Sequence, residues 1–125
     1  MDAKNKQEII DELAHFRGTE NYHEHKMFGY GFLYITDGVA FVRERCKCFW
    51  LMDLILSAQR IEKKLLGEDF QEWELQKLED GTWKVTCDDG NGNLLFSIVI
   101  PYSDFPLDSV VIWYDSNVLL LPSEY

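Results

Sequence analysis

Six side chains are of the kinds that hold metals or attack substrates: His15, His23, His25, Cys46, Cys48 and Cys87. Neutral imidazole and thiolate suit zinc, and four of the last five could complete a tetrahedron. The spacing argues against it. Structural zinc sites usually pair ligands two to four residues apart, whereas His23-Glu24-His25 and Cys46-Lys47-Cys48 each have one residue between. Cys87 falls where strand alternation expects a core residue, and buried free cysteine is ordinary packing. No metal and no cofactor are expected; His23, His25, Cys46 and Cys48 would have to supply a site if one existed. A cysteine nucleophile also needs a base and an orienting group. Cys46 or Cys48 can be combined on paper with any histidine, but no local motif supports a combination, and both read more simply as helix-junction residues.

Carboxylates offer too many pairs to single one out. Glu72 and Glu74 share a face of an expected strand and Asp88-Asp89 sit on an expected turn, yet so acidic a segment produces such pairs by chance. The loop Asp88-Asp89-Gly90-Asn91-Gly92-Asn93 has oxygen donors, but glycine stands at the third position of a calcium loop and no glutamate at the twelfth, so it reads as a tight turn. Phe28-Gly29-Tyr30-Gly31-Phe32 lacks the Lys-Ser/Thr of a phosphate-binding loop. The chain is expected not to be an enzyme.

Charge is more selective than any motif. Residues 1–66 carry ten acids and ten bases, while residues 67–125 carry twelve acids against Lys77 and Lys84 alone, so the whole net charge of −10 lies in the second half. A one-signed field repels nucleic acid and anionic membrane and attracts basic protein surfaces. The basic cluster Arg43, Arg45, Lys47 is interleaved with Glu44 and reads as a solvated helix face. With 46% hydrophobic and 14% aromatic residues, the 125-residue chain is expected to be one folded domain. No apolar run approaches the roughly 20 residues that span a bilayer. The start has no signal-peptide core and the cysteine count is odd, so a reduced, cytoplasmic protein is expected.

These residues must be positioned by recognisable elements. Ile9, Ile10, Leu13, Ala14 and Phe16 share a side of an expected helix stopped by Gly18. Phe28–Tyr34 reads as a strand or extended linker. Thr36-Asp37-Gly38 reads as a helix start with Thr36 or Asp37 as N-cap. Val39–Leu66 has helical spacing, divided at Cys46-Lys47-Cys48, with the apolar stretch Phe49–Leu56 as its spine. From Phe70 the period becomes two: Trp73 and Leu75 alternate with Glu72 and Glu74, and Trp83, Val85 and Cys87 with Lys84, Thr86 and Asp88, around an Asp80-Gly81 turn. Leu94–Ile100 is nearly all apolar and reads as a central strand. Val110–Tyr114 and Val118–Leu121 read as a last hairpin with an exposed edge. The expected fold is α+β: a helical layer over about 1–67 on one face of a roughly five-stranded antiparallel meander over about 68–125. Glu72, Glu74 and Asp88 then lie on the face away from the helices.

Phe16-Arg17-Gly18-Thr19-Glu20-Asn21-Tyr22, Thr36-Asp37-Gly38-Val39, Phe49-Trp50-Leu51-Met52-Asp53, Asp104-Phe105-Pro106-Leu107 and Leu121-Pro122-Ser123-Glu124-Tyr125 together resemble a family of small bacterial and mobile-element proteins classed only as a domain of unknown function. The resemblance implies a compact domain and brings no activity, ligand or catalytic residue; it makes a phage or mobile-element setting plausible. Within these phrases Thr19, Glu20, Tyr22, Thr36 and Asp37 fall in expected loops, where function concentrates.

The expected function is a non-enzymatic interaction domain that docks Glu72, Glu74, Asp80, Asp88 and Asp89 on a basic protein surface, such as that of a nucleic-acid-binding complex, with no direct contact to nucleic acid. Its most specific form is an inhibitor of a defence complex, of anti-CRISPR or anti-restriction type. The alternatives are a small metal-binding domain or hydrolase using His23 and His25 with a cysteine, or a homodimer through Val118–Leu121; monomer and homodimer are both open.

Overall fold

The structure, a computed structural model, describes residues 3–125; Met1 and Asp2, part of the stretch read as lacking a signal core, lie outside the described residues. The fold is α+β, with three helices and a seven-stranded, mostly antiparallel sheet. Helix α1 (Ala3–Leu13) buries Ile9 and ends earlier than Gly18. Helix α2 (Asp37–Arg45) begins at Thr36, whose hydroxyl accepts the amide of Val39, and carries Asp37 in its first turn and Arg43 and Arg45 in its last, matching the helix dipole. Lys47 takes a left-handed φ of 52° and separates α2 from α3 (Phe49–Ile61), as the cysteine junction suggested. Helix α3 buries Leu51, Met52, Ile55, Leu56 and Ala58 but leaves Phe49 and Ile61 exposed.

The strands are β1 (Tyr22–Met27), β2 (Gly31–Thr36), β3 (Phe70–Lys77), β4 (Trp83–Asp88), β5 (Leu94–Ile100), β6 (Ser109–Asp115) and β7 (Val118–Leu120). They are ordered β1-β2-β7-β6-β3-β4-β5. Two strands therefore come from the half read as helical. Strand β1 hides because its sequence, Tyr-His-Glu-His-Lys-Met, shows no apolar alternation; only His25 is buried. Its hairpin to β2 turns through Gly29 and Gly31, with φ of 84° and 90°. The sheet is not a simple meander: β6 returns to the far side of β3, and β2 runs parallel to β7.

Two strand placements are corrected. Leu94–Ile100 is not central but an edge, paired only with β4. Val118–Leu120 is not an edge but interior, flanked by β2 and β6, so its apolar character is core packing and the homodimer through Val118–Leu121 has no free edge to use. An apolar run reports neither burial nor which strands lie alongside: Leu94, Ile98 and Val99 of β5 are exposed, whereas Leu119 and Leu120 of β7 are buried. The charge boundary is also refined, because the acidic half supplies five of the seven strands and not the whole sheet.

The core lies between the helices and one sheet face, where Leu33, Ile35, Trp73, Leu75, Val85, Cys87, Ile112 and Leu119 are buried. Phe105 and Leu107 of the β5–β6 connection also enter it, Phe105 lying edge-on to Trp83 at 6.1 Å.

Candidate functional site

The second sheet face has no helix over it. Since Trp73, Leu75, Val85 and Cys87 point into the core, alternation turns Glu72, Glu74, Thr86 and Asp88 the other way. The register sets Leu120, Trp113, Glu72 and Asp88 side by side across four strands. Trp113 packs edge-on to Phe70 at 5.4 Å and to Tyr125 at 5.5 Å. Its indole N–H donates to Glu72 Oε1 at 3.4 Å. Further along the face, Tyr22, Tyr34 and Val118 line a shallow apolar depression of about 220 Å³.

Glu72 and Asp88 are directly opposed across β3 and β4, an arrangement in which like charges repel. Cations do not offset it. Among the described residues, Asp108 is the only acid of residues 67–125 with a basic nitrogen within 4.0 Å, Lys6 at 3.0 Å. Asp80 and Asp89 serve their own turns. Asp80 Oδ1 accepts the amide and hydroxyl of Thr82 at 2.9 and 2.6 Å, and Asp89 accepts the amides of Asn91 and Asn93 and the Asn93 side chain. The Thr82 hydroxyl holds the Asp80 carboxyl below its ordinary range, and the Asn93 side chain does the same for Asp89. Asp88 accepts the Gly90 amide at 2.7 Å. Asp80 lies at the turn end of the β3–β4 hairpin, away from Glu72 and Asp88 at the other end. The acids read together from sequence are thus Glu72, Glu74 and Asp88 with Asp89 beside them, and Asp80 apart. Sequence reading missed the aromatic members Phe70, Trp113 and Tyr125; the alternation of Val110–Tyr114, which sets Trp113 opposite to Ile112, was the available signal.

The loop residues converge elsewhere, at the start of α2. The Thr19 hydroxyl accepts the Asp37 amide at 2.8 Å and donates to the carbonyl of Asn21 at 2.6 Å. Asp37 Oδ2 accepts the amides of Glu20 and Asn21, and Oδ1 meets His23 Nε2 at 2.9 Å. His23, then the amide of Glu20, hold the Asp37 carboxyl below its ordinary range. Glu124 completes the corner: Oε1 accepts from Thr36 Oγ1 at 2.6 Å and from the Leu121 amide at 2.9 Å, and Oε2 from the Gly38 amide at 3.0 Å. Thr36, with the Gly38 amide, therefore fastens the chain's last turn to the start of α2, while Thr19, Glu20 and Asp37 fasten the segment before β1 to the same place. Tyr22 is not part of this network and belongs to the open face.

His25 is 4% exposed. Its Nε2 lies 2.7 Å from Asp53 Oδ1 and its Nδ1 3.1 Å from Arg43. A guanidinium only donates, so Nδ1 accepts and the ring proton is on Nε2, directed at Asp53. Arg43 in turn lies over the Phe49 ring at 4.8 Å. Both ring nitrogens are engaged, which leaves His25 neither a base nor a ligand position. Burial pushes the thiols of Cys46, Cys48 and Cys87 up to about 11, about 12 and about 12, so all three are un-ionised at neutral pH. The His23, His25, Cys46 and Cys48 set does not assemble: no three His, Cys, Asp or Glu side chains among the described residues form a group that could hold a metal ion.

What fold and site define is an α+β domain with one open sheet face that is both aromatic and acidic. The chain belongs to a family of unknown function, DUF6876, whose model matches residues 7–125. No curated protein and no solved structure matches it. None of the helices among the described residues is long and apolar enough to cross a membrane.

Proposed function

We propose that this domain is a non-enzymatic interaction protein that docks its open sheet face on a basic protein surface. The observation that carries the reading is the half-buried line of Trp113, Glu72 and Asp88 on the open face, with Phe70 and Tyr125 against the indole and, among the described residues, no basic nitrogen within 4.0 Å of the Glu72 or Asp88 carboxylates. Aromatic faces and free carboxylates together suit arginine and lysine side chains, by cation–π contact and ion pairing. The net charge would steer a basic partner and repel nucleic acid. Basic protein surfaces are commonly nucleic-acid channels, so the most specific form is a phage or mobile-element inhibitor of a defence complex, of anti-CRISPR or anti-restriction type. A cytoplasmic setting fits three unpaired cysteines.

The test is affinity capture from a bacterial host lysate at low and high salt, comparing the wild-type chain with E72K/E74K/D88K. Asp89 is left alone because it accepts three bonds within its own turn, against the one that Asp88 accepts from Gly90. The reading expects a partner that the wild type captures, that salt releases and that the charge-reversed variant loses; unchanged capture by the variant overturns it.

A further inference from the structure

Strand β1 buries one polar side chain against the helices, and that side chain ties three elements together. His25 Nε2 donates to Asp53 Oδ1 of α3 at 2.7 Å, and Nδ1 accepts from Arg43 in the last turn of α2 at 3.1 Å. Few other groups face the ring. Leu33 of β2 stands opposite it, the Phe49 ring of α3 lies 6.2 Å away, and Glu44 of α2 meets Arg43 at 3.3 Å from an exposed position. The next residue of β1 on this face is His23, which is engaged by Asp37 at 2.9 Å.

Arg43 is held by few contacts. Its side chain is 14% exposed and its Nε is buried without a hydrogen-bond partner, so the His25 acceptor, the Phe49 ring at 4.8 Å and Glu44 keep it in place. The acceptor exists only while the imidazole is neutral. A second ring proton goes on Nδ1, where it confronts the Arg43 N–H and sets two cations side by side in a largely buried site. Asp53 attracts the charged ring and keeps it in place. Arg43 is the member free to leave: its guanidinium already reaches exposed Glu44, and moving outward would hydrate the Nε–H that is now unsatisfied.

We propose that Asp53, His25 and Arg43 form a pH-sensitive latch, which at neutral pH fastens the last turn of α2 to β1 and which opens when His25 is protonated, Arg43 departing while the imidazolium stays on Asp53. The latch lies on the helix-covered side and uses none of the open-face carboxylates, so it goes beyond docking on a basic partner and is tested separately. Because Asp53 attracts the charged ring and Arg43 repels it, the signature is a movement of Arg43 and not a large change in overall stability.

Proton and nitrogen NMR of the full chain between about pH 8 and about pH 5, the range in which imidazoles change charge, tests this. At the upper end His25 should show a protonated Nε2 and a bare Nδ1, with nuclear Overhauser contacts between Arg43 and the Phe49 ring. As His25 takes up its second proton those contacts should disappear. The amides of Cys46 and Cys48, which bond to the carbonyls of Val42 and Arg43, should lose about ten-fold in protection from hydrogen exchange relative to their intrinsic rates at each pH. In His25→Gln, which cannot charge, both signals should stay the same across the range. His23→Gln should release Arg43 as the wild type does. Asp53 is 42% exposed, so Asp53→Asn gives a second variant should His25→Gln fail to fold, and it should move the release of Arg43 to lower pH. Arg43 contacts that persist once His25 is charged, a bare Nε2 at the upper end, a release that survives in His25→Gln or is lost in His23→Gln, or one that Asp53→Asn leaves at the same pH overturns the proposal.

Discussion

The carboxylates at the start of α2 and those on the open sheet face have the same chemistry and opposite circumstances. Glu124 accepts from Thr36, Gly38 and Leu121, and Asp37 accepts from Glu20 and Asn21 and meets His23. Glu72 receives one long bond from Trp113, and Glu74 has no hydrogen-bond or ion-pair partner among the described residues. A carboxylate whose oxygens are filled by the chain's own donors is architecture, because the donors would otherwise be left unsatisfied. One without donors, facing solvent beside aromatic rings, adds little to the fold and keeps its charge for a partner.

The sharpest way to break this comparison is to remove Glu124. Glu124→Ala leaves the buried Gly38 amide, the Leu121 amide and the Thr36 hydroxyl without their acceptor, and should lower stability in urea by about 3 kcal/mol. Gly38→Ala attacks the same contact from the other side. A Cβ there would sit 2.5 Å from Glu124 Oε1 and 2.7 Å from Leu121 Cδ1. The carboxylate and Leu121 must shift, at a cost of about 2 kcal/mol by the same measurement. If both variants were as stable as the wild type, the corner would be no more structural than the open face.

Asp37 gives the comparison a pH signature. Its carboxyl is held below the ordinary value of 3.8, by His23 first and the amide of Glu20 second. In acid the unfolded chain therefore takes up a proton at this site before the folded chain does. The stabilisation is complete above about pH 4 and is lost as pH falls through the lower folded value. Stability measured against pH for the wild type and Asp37→Asn should differ most above about pH 4, the two curves converging below it. Convergence on raising the pH instead would show that the Asp37 charge is not what the corner uses.

Much of this arrangement was legible in sequence, and the limits have physical causes. Thr36 as a helix cap, the break at Cys46–Cys48 and the outward turn of Glu72, Glu74 and Asp88 follow from local rules of capping and period. The neighbours of a strand do not. Leu94–Ile100 and Val118–Leu120 are both apolar, and only the parallel pairing of β2 with β7, across more than eighty residues of chain, decides which of them is the edge. Strand β1 escaped because its one buried side chain is a histidine, acceptable in the core only through Asp53 and Arg43, which belong to other elements. At the site, the acids were visible as charge, but Tyr125 reaches Trp113 through the return of the last turn to the sheet, and no spacing encodes that.

The smallest expected effect bears most directly on function. Glu72 and Asp88 are direct cross-strand neighbours of like charge. Glu72→Gln keeps an acceptor for the Trp113 indole and removes the repulsion, so it should raise stability by about 0.5 kcal/mol in low salt. That gain should shrink as salt is added, because screening already weakens the repulsion in the wild type. A residue that costs stability where it stands and whose neutral isostere fits as well is kept for something other than folding, and the same variant should bind a basic partner less tightly. Were Glu72→Gln instead to destabilise the chain as Glu124→Ala is expected to, Glu72 would belong with the filled carboxylates of the α2 corner. The open face would then lose the uncompensated charge on which its proposed docking depends.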